Sequence, residues 1–229
     1  MARVKRGLAG LAVIALAILF PVPAHAASIQ PGDAMSSGDA GCTLGFVVDG
    51  RQGQTYFLTA AHCVKVPAQV QLDDGTILGG SVAEGSSLDE PSDPADDWAL
   101  IRVRDELVSS VSGLVRGHAG TPTGVALAGE TAFGDVIEHS GWGIPFFFTN
   151  VTREQRYGVL VQQTAGTWAS VGPDSYGDSG GPVVHVATGK AVGLVAQLCL
   201  GTCTSIGPSV EGILARTAEA GYHLTLRRA

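Results

Sequence analysis

The stretch GFVVDGRQGQTYFLT, residues 45–59, decides the fold. Phe46, Val47 and Val48 make one short apolar run. Tyr56, Phe57 and Leu58 make a second, flanked by the β-branched Thr55 and Thr59. Between them stand Asp49-Gly50 and Gln52-Gly53, pairs that favour tight turns because Gly accepts the positive φ such turns need. Two apolar, aromatic or β-branched runs around a glycine-bearing turn mark a β-hairpin.

The same character extends outward. Residues 68–72, 76–82 and 98–103 read as strands, with Asp73-Asp74-Gly75 as a turn. So do residues 131–138, 157–164, 183–185 and 191–196. Residues 27–41 are small and polar and are expected to be an exposed start. Residues 84–97 form an acidic loop with Pro91 and Pro94, and residues 117–128, rich in Gly, Pro and Thr, read as a connection between two halves. One segment differs. Over residues 211–220, Ile213, Leu214, Thr217 and Ala218 recur at helical spacing, and Gly221 is a natural stop. The expectation is an all-β chain of two small barrels and one short C-terminal helix. Its parts are residues 27–118, a connection at 119–128, and residues 129–229.

Composition agrees. With 32 Gly in 229 residues and only 15% charged residues, long solvated helices are not expected. The 45% of hydrophobic residues is enough to offset the entropy of ordering the chain.

The first 26 residues read as a secretory signal peptide. Arg3, Lys5 and Arg6 precede an uncharged apolar stretch over residues 8–20, and Ala24-His25-Ala26 presents small residues where a signal peptidase cuts. The apolar stretch is shorter than the roughly 20 residues that span a bilayer. The mature protein is therefore expected to be secreted and held in no membrane. Removing the leader leaves 11 basic against 21 acidic residues, a net charge of −10. So acidic a chain suits no nucleic-acid partner, since phosphate binding needs clustered Lys and Arg.

Export permits disulfides. Cys42 and Cys63 flank the hairpin and Cys199 and Cys203 are four apart, so local pairing is favoured among the three connectivities. A zinc site is the rival, but CxxxC with two distant ligands is poor spacing for it, and no metal or cofactor is expected. Asn150-Val151-Thr152 is a glycosylation sequon only in a eukaryotic secretory route.

Three segments carry chemistry. In Gly177-Asp178-Ser179-Gly180-Gly181-Pro182, glycines on both sides let the chain turn sharply and expose a serine. Successive backbone N–H groups in such a turn can stabilise an oxyanion. In Thr59-Ala60-Ala61-His62-Cys63, the histidine ends an apolar strand beside a cysteine that can staple it, and a general base needs fixed geometry. His25, His118, His139, His185 and His223 have no comparable setting. In Asp97-Trp98-Ala99-Leu100-Ile101, a carboxylate opens an apolar strand where it can be buried beside an imidazole. Asp96 is the competing acid, and Asp97, next to the apolar run, is preferred.

TAAHC, DWALI and GDSGGP in that order resemble the chymotrypsin-like (trypsin-like) serine peptidases, whose chain order is His, Asp, Ser. The end of the chain is similar to their small bacterial secreted branch. The resemblance implies two six-stranded antiparallel barrels with the site between them. It implies a serine endopeptidase with Ser179 as nucleophile, His62 as general base and Asp97 orienting it, with Gly177 and Ser179 as oxyanion donors. Pro173, Asp174 and Tyr176 match the stretch that lines the specificity pocket, and Ala196, Gln197 and Leu198 match the strand that pairs with an extended polypeptide substrate. It implies a monomer without cofactor. A secreted esterase with the same triad, or a silent binding protein on the same fold, is the alternative.

Three features depart from the family. Asp178 normally takes the amine of a freed N-terminus, and Ile29-Gln30-Pro31-Gly32 matches that terminus only in part. Some bacterial relatives use an internal Arg, but residues 138–143 contain none, so Ile29 freed by a second cut is the expected partner. Asp174 points to a preference for Lys or Arg, slightly ahead of small or apolar residues. Leu198 stands where the family often has Gly, and Ser175 where it has a paired cysteine.

Overall fold

The hairpin at residues 47–59 forms in antiparallel register, with Val47 opposite Phe57 and Asp49 opposite Thr55. Its turn is a 3-10 turn at Arg51–Gly53, in which Gln52 takes a positive φ of 59°. This computed structural model describes residues 28–85, 93–118, 120–143, 155–199 and 201–228. The expected leader and the sequon at Asn150 lie outside them.

Among the described residues the first strands are β1 (Ala34–Ser37), β2 (Ala40–Thr43), β3 (Val47–Asp49), β4 (Thr55–Thr59), β5 (Gln69–Leu72), β6 (Ile77–Glu84) and β7 (Ala99–Val103). Then come β8 (Val136–His139), β9 (Arg156–Gln163), β10 (Thr167–Val171), β11 (Pro182–His185), β12 (Lys190–Leu194), β13 (Gln197–Leu198) and β14 (Ser205–Pro208). Helix α1 (Val210–Glu219) and β15 (Thr225–Leu226) close the chain. One sheet has the order β15-β3-β4-β7-β6-β5-β1-β2 and the other β12-β11-β8-β9-β10-β14-β13. All pairings between these strands are antiparallel. The all-β expectation of two antiparallel units and a C-terminal helix holds. The sheets have eight and seven members rather than six each; the eight include the two-residue β15 and both strands of the β1–β2 hairpin, and the seven include the two-residue β13.

Two expectations need correction. Residues 27–41 are not an exposed start: β1 pairs with both β2 and β5, and Met35 is 3% exposed. Backbone pairing, which small polar residues do not advertise, holds this segment. The strand expected over residues 131–138 begins only at Val136, because the Asp135 carboxylate accepts from the Ala132 N–H at 2.8 Å and closes a turn before it.

One core lies inside the first sheet around Leu44, Phe57, Val70 and Ile101. A second lies inside the other around Ile137, Leu160, Trp168 and Val192. A third joins them: Phe46, Leu58 and Leu100 of the first half pack with Val184, Leu194 and Ile213 of the second. Each such side chain contributes about 1.5–3 kcal/mol on burial. This shared core holds the two sheets together beneath the site. Helix α1 supplies Val210 and Ile213 to it and is capped by Ser209, whose hydroxyl accepts from the Gly212 N–H at 3.0 Å.

Candidate active site

His62 follows directly from β4, in the short turn Ala61–Cys63. The Cys42–Cys63 disulfide ties that turn to β2. Asp97 stands two residues before β7, which lies beside β4 in register Thr59 opposite Ala99. The pairing of two apolar strands therefore delivers the imidazole and the carboxylate to one place. His62 Nδ1 lies 2.8 Å from Asp97 Oδ2, and the His62 backbone N–H donates to Asp97 Oδ1 at 3.1 Å. Asp97 is fully buried, whereas the His62 side chain is 32% exposed. The imidazole is thus fixed on one nitrogen and open to the cleft. Asp96 turns away onto Arg216, 3.1 Å from its Nε.

Ser179 lies between β10 and β11, in a loop that returns to the first sheet. Its carbonyl accepts from the Thr43 N–H at 2.9 Å and lies 3.7 Å from Cys63 Sγ. The candidate nucleophile is thereby set beside the turn that carries His62. Among the described residues the Ser179 hydroxyl makes no hydrogen bond, His62 included. Nucleophile–base contacts are commonly long before substrate arrives. Gly177 has φ +100°, and neither its N–H nor that of Ser179 meets an acceptor among the described residues. Two backbone donors are left free at the nucleophile, the arrangement an oxyanion hole requires. Just beyond, Gly180 N–H donates to Val195 O at 2.7 Å, which ties the loop to the strand leading into Ala196, Gln197 and Leu198.

Beneath the loop, Asp178 is fully buried. Its carboxylate accepts from the Gly143 N–H at 2.7 Å and the Ser175 N–H at 2.8 Å, and it pairs with the Arg156 guanidinium. A side chain at Gly141 or Gly143 would collide with that carboxylate, so glycine is required there. This corrects the reading of residue 178. An internal Arg is present; it enters on β9, opposite His139 of β8, not from residues 138–143. Ile29 is elsewhere, buried in the first core with its N–H on Ser110 O at 2.9 Å. A guanidinium from the adjacent strand meets the need the terminal amine was expected to meet.

The specificity stretch also differs from expectation. The Asp174 side chain is 2% exposed and turned inward, with Oδ1 2.9 Å from His139 Nε2. That nitrogen also faces Pro173 O at 3.1 Å, so the proton belongs on Nε2, between two oxygens. Burial pushes the Asp174 carboxyl up, and His139, Ser205 and Arg156 pull it down further, to a net lowering. Tyr176 and Leu198 are the exposed members, at 79% and 50%. A cavity of about 450 Å³, lined by Met35, Cys42, Trp142, Tyr176 and Gly177 among others, opens beside the loop. Cys199 pairs with Cys203.

Two groups of potential metal donors occur among the described residues. In the first, Cys42 and Cys63 are joined as a disulfide and offer no thiolate to accompany His62. In the second, His139, Asp174 and Asp178, the last is already neutralised by Arg156. Sequence reasoning missed Arg156 and the inward turn of Asp174. No sequence signal marked Arg156: Tyr157 and Val159 are apolar members of its alternation yet face out, and Arg156 faces in.

A family model described as Trypsin matches residues 21–211. "Glutamyl endopeptidase 2" of Streptomyces griseus is 30% identical over 181 residues, which cover 76% of this chain and 88% of that protein. "Streptogrisin-D" of the same organism is 29% identical over 202 residues, 84% of this chain but 48% of that protein, so the chain spans about half its length. A solved structure described as a glutamic acid specific serine protease that uses a histidine triad in substrate binding superposes with a TM-score of 0.62. It is 21% identical and covers 87% of this chain and 100% of that one, a likeness of fold.

Proposed function

Because the chain belongs to the trypsin family and is a serine endopeptidase, we propose that it is secreted and cleaves polypeptides through an acyl-enzyme on Ser179, with His62 as general base and Asp97 orienting it. The observation that carries this reading is the 2.8 Å contact between His62 Nδ1 and the fully buried Asp97 carboxylate. A carboxylate there holds the proton on Nδ1, leaves Nε2 free to accept, and stabilises the imidazolium. In the reaction Ser179 Oγ bonds to the scissile carbonyl carbon as its proton passes to His62 Nε2. The Gly177 and Ser179 N–H groups receive the oxyanion. His62 then gives the proton to the departing amine, and water repeats the sequence to release the acyl group.

The leader over residues 1–26 supports export of the mature chain. Among the described residues no helix is long and apolar enough to cross a membrane. N-terminal sequencing of protein recovered from culture medium tests this, and a chain retained in the cells would overturn it.

For side-chain preference, the inward turn of Asp174 removes the acid that would have favoured Lys or Arg. The exposed neighbours Tyr176 and Leu198 favour a neutral side chain instead. Cleavage-site profiling on a peptide library separates these preferences.

The test of the mechanism is labelling with an organophosphonate followed by peptide mapping. Label on Ser179, lost in Ser179→Ala, supports the triad, and absence of label points to the silent alternative. A casein assay on the labelled-competent protein then separates endopeptidase from esterase.

A further inference from the structure

The side chain of Thr43 is fully buried at the end of β2, and every polar atom of the residue is used. Its hydroxyl donates to Gly177 O at 2.8 Å and accepts from the Trp142 N–H at 3.0 Å. Its backbone N–H donates to Ser179 O at 2.9 Å, and its carbonyl accepts from Thr59 Oγ1 at 3.2 Å. We propose that Thr43 is the positioning residue of the oxyanion loop, its hydroxyl clamping the Gly177–Asp178 peptide so that the Gly177 and Ser179 N–H groups face one point. This rests on the reading of those two groups as oxyanion donors.

The geometry explains why a hydroxyl is needed. Between the two donors lies a single peptide, Gly177–Asp178. Its carbonyl is held by Thr43 and its N–H by Ser175 O at 3.1 Å. With both ends fixed, the plane cannot rock, and the flanking N–H groups keep their relative direction. The hydroxyl also draws in Trp142, whose neighbour Gly143 donates to Asp178. One side chain from the first sheet thus joins two segments of the second, 134 and 99 residues away. Cys42, adjacent, carries the disulfide to the His62 turn, so the clamp also sets the loop in register with the base. A buried hydroxyl is costly unless hydrogen-bonded; a valine would fill the same space but remove the donor to Gly177 O and the acceptor that the Trp142 N–H uses here.

Thr43→Val is expected to lower kcat by about 10- to 100-fold, less than the loss of a whole oxyanion donor. KM should stay within about twofold, as expected when an interaction made in the transition state is lost. Affinity for a peptide boronate, which forms a tetrahedral adduct on Ser179, should weaken by the same factor as kcat. Binding of uncleaved peptide should be equal in Ser179→Ala and in Ser179→Ala with Thr43→Val. Thr43→Ser should restore kcat. If Val does not fold, Thr43→Ala against Thr43→Ser isolates the same oxygen. Equal kcat and boronate affinity in the hydroxyl-bearing and hydroxyl-free variants would overturn the proposal. So would a loss seen only in KM or thermal midpoint. Failure of organophosphonate to label Ser179 in the parent protein would overturn the triad reading beneath it, a distinct result.

Discussion

Arg156 and Asp178 form an ion pair buried behind the candidate nucleophile, 3% and 0% exposed. Taking two charges out of water is costly, and the pair is tolerable because the carboxylate also receives the Gly143 and Ser175 N–H groups. The charge that steadies the loop thus comes from within β9. Nothing in this arrangement calls on the start of the chain.

Removing the cation should therefore do harm that the N-terminus does not repair. Arg156→Met leaves an uncompensated buried carboxylate and should cost about 3–5 kcal/mol of stability, read from denaturant midpoints. A chain beginning at Ala27, two residues ahead of Ile29, should still be labelled on Ser179 by an organophosphonate. Labelling confined to chains cut at Ile29 would mean that Arg156 does not meet Asp178's need.

The two neighbouring acids should behave oppositely. Asp97→Asn keeps the shape but no longer holds the proton on His62 Nδ1, and kcat should fall by about 10⁴-fold. Asp96 is 41% exposed and paired with Arg216 at the surface. Exposed pairs contribute little, so Asp96→Asn should change kcat by less than about twofold. Comparable losses in both variants would deny Asp97 its special place.

The contrast between what the sequence disclosed and what it hid follows from range. His62, Asp97 and Ser179 announce themselves through neighbours a few residues away: an apolar strand, a cysteine, flanking glycines. The strands β3, β4 and β7 were legible for the same reason, their apolar runs being continuous. β1, β10 and β14 were not. Their apolar residues, such as Met35, Trp168 and Ile206, stand apart among small or polar ones with no continuous run, and backbone pairing holds them in place. Arg156 and Thr43 belong to that second kind. Each is ordinary in its own segment and acquires its partner through register: Arg156 sits opposite His139 in the β8–β9 pair, and Thr43 reaches Gly177 across 134 residues. Asp174 misled because its neighbours fix its place on the loop but not its direction.

Helix α1 offers a test of packing away from the site. The Ser209 hydroxyl accepts from Gly212 N–H and donates to Ala165 O at 2.5 Å. Ser209→Ala removes the cap and leaves a carbonyl unpaired. The expected cost is about 1–2 kcal/mol, or roughly 3–6 °C in Tm, with kcat/KM unchanged. A loss of activity at temperatures where the variant remains folded would place the helix closer to function than its position suggests.

The Asp174–His139 pair makes stability and specificity separable. The carboxyl is held below its ordinary 3.8: burial raises it, and His139, Ser205 and Arg156 together lower it further. A group lowered by folding stabilises the native state above its unfolded pKa, about 3.9, and that contribution is lost as pH falls through the folded value. Stability should therefore decline as the protein is acidified below about pH 5, and Asp174→Asn should flatten the decline. At neutral pH the variant should be about 1–3 kcal/mol less stable, because His139 and its surroundings lose a buried partner. Side-chain preference on a peptide library should not move, since a carboxylate 2% exposed and facing His139 meets no substrate. A Lys or Arg preference in the parent that vanishes in Asp174→Asn would instead make Asp174 the base of the pocket, its inward turn reversed when substrate enters.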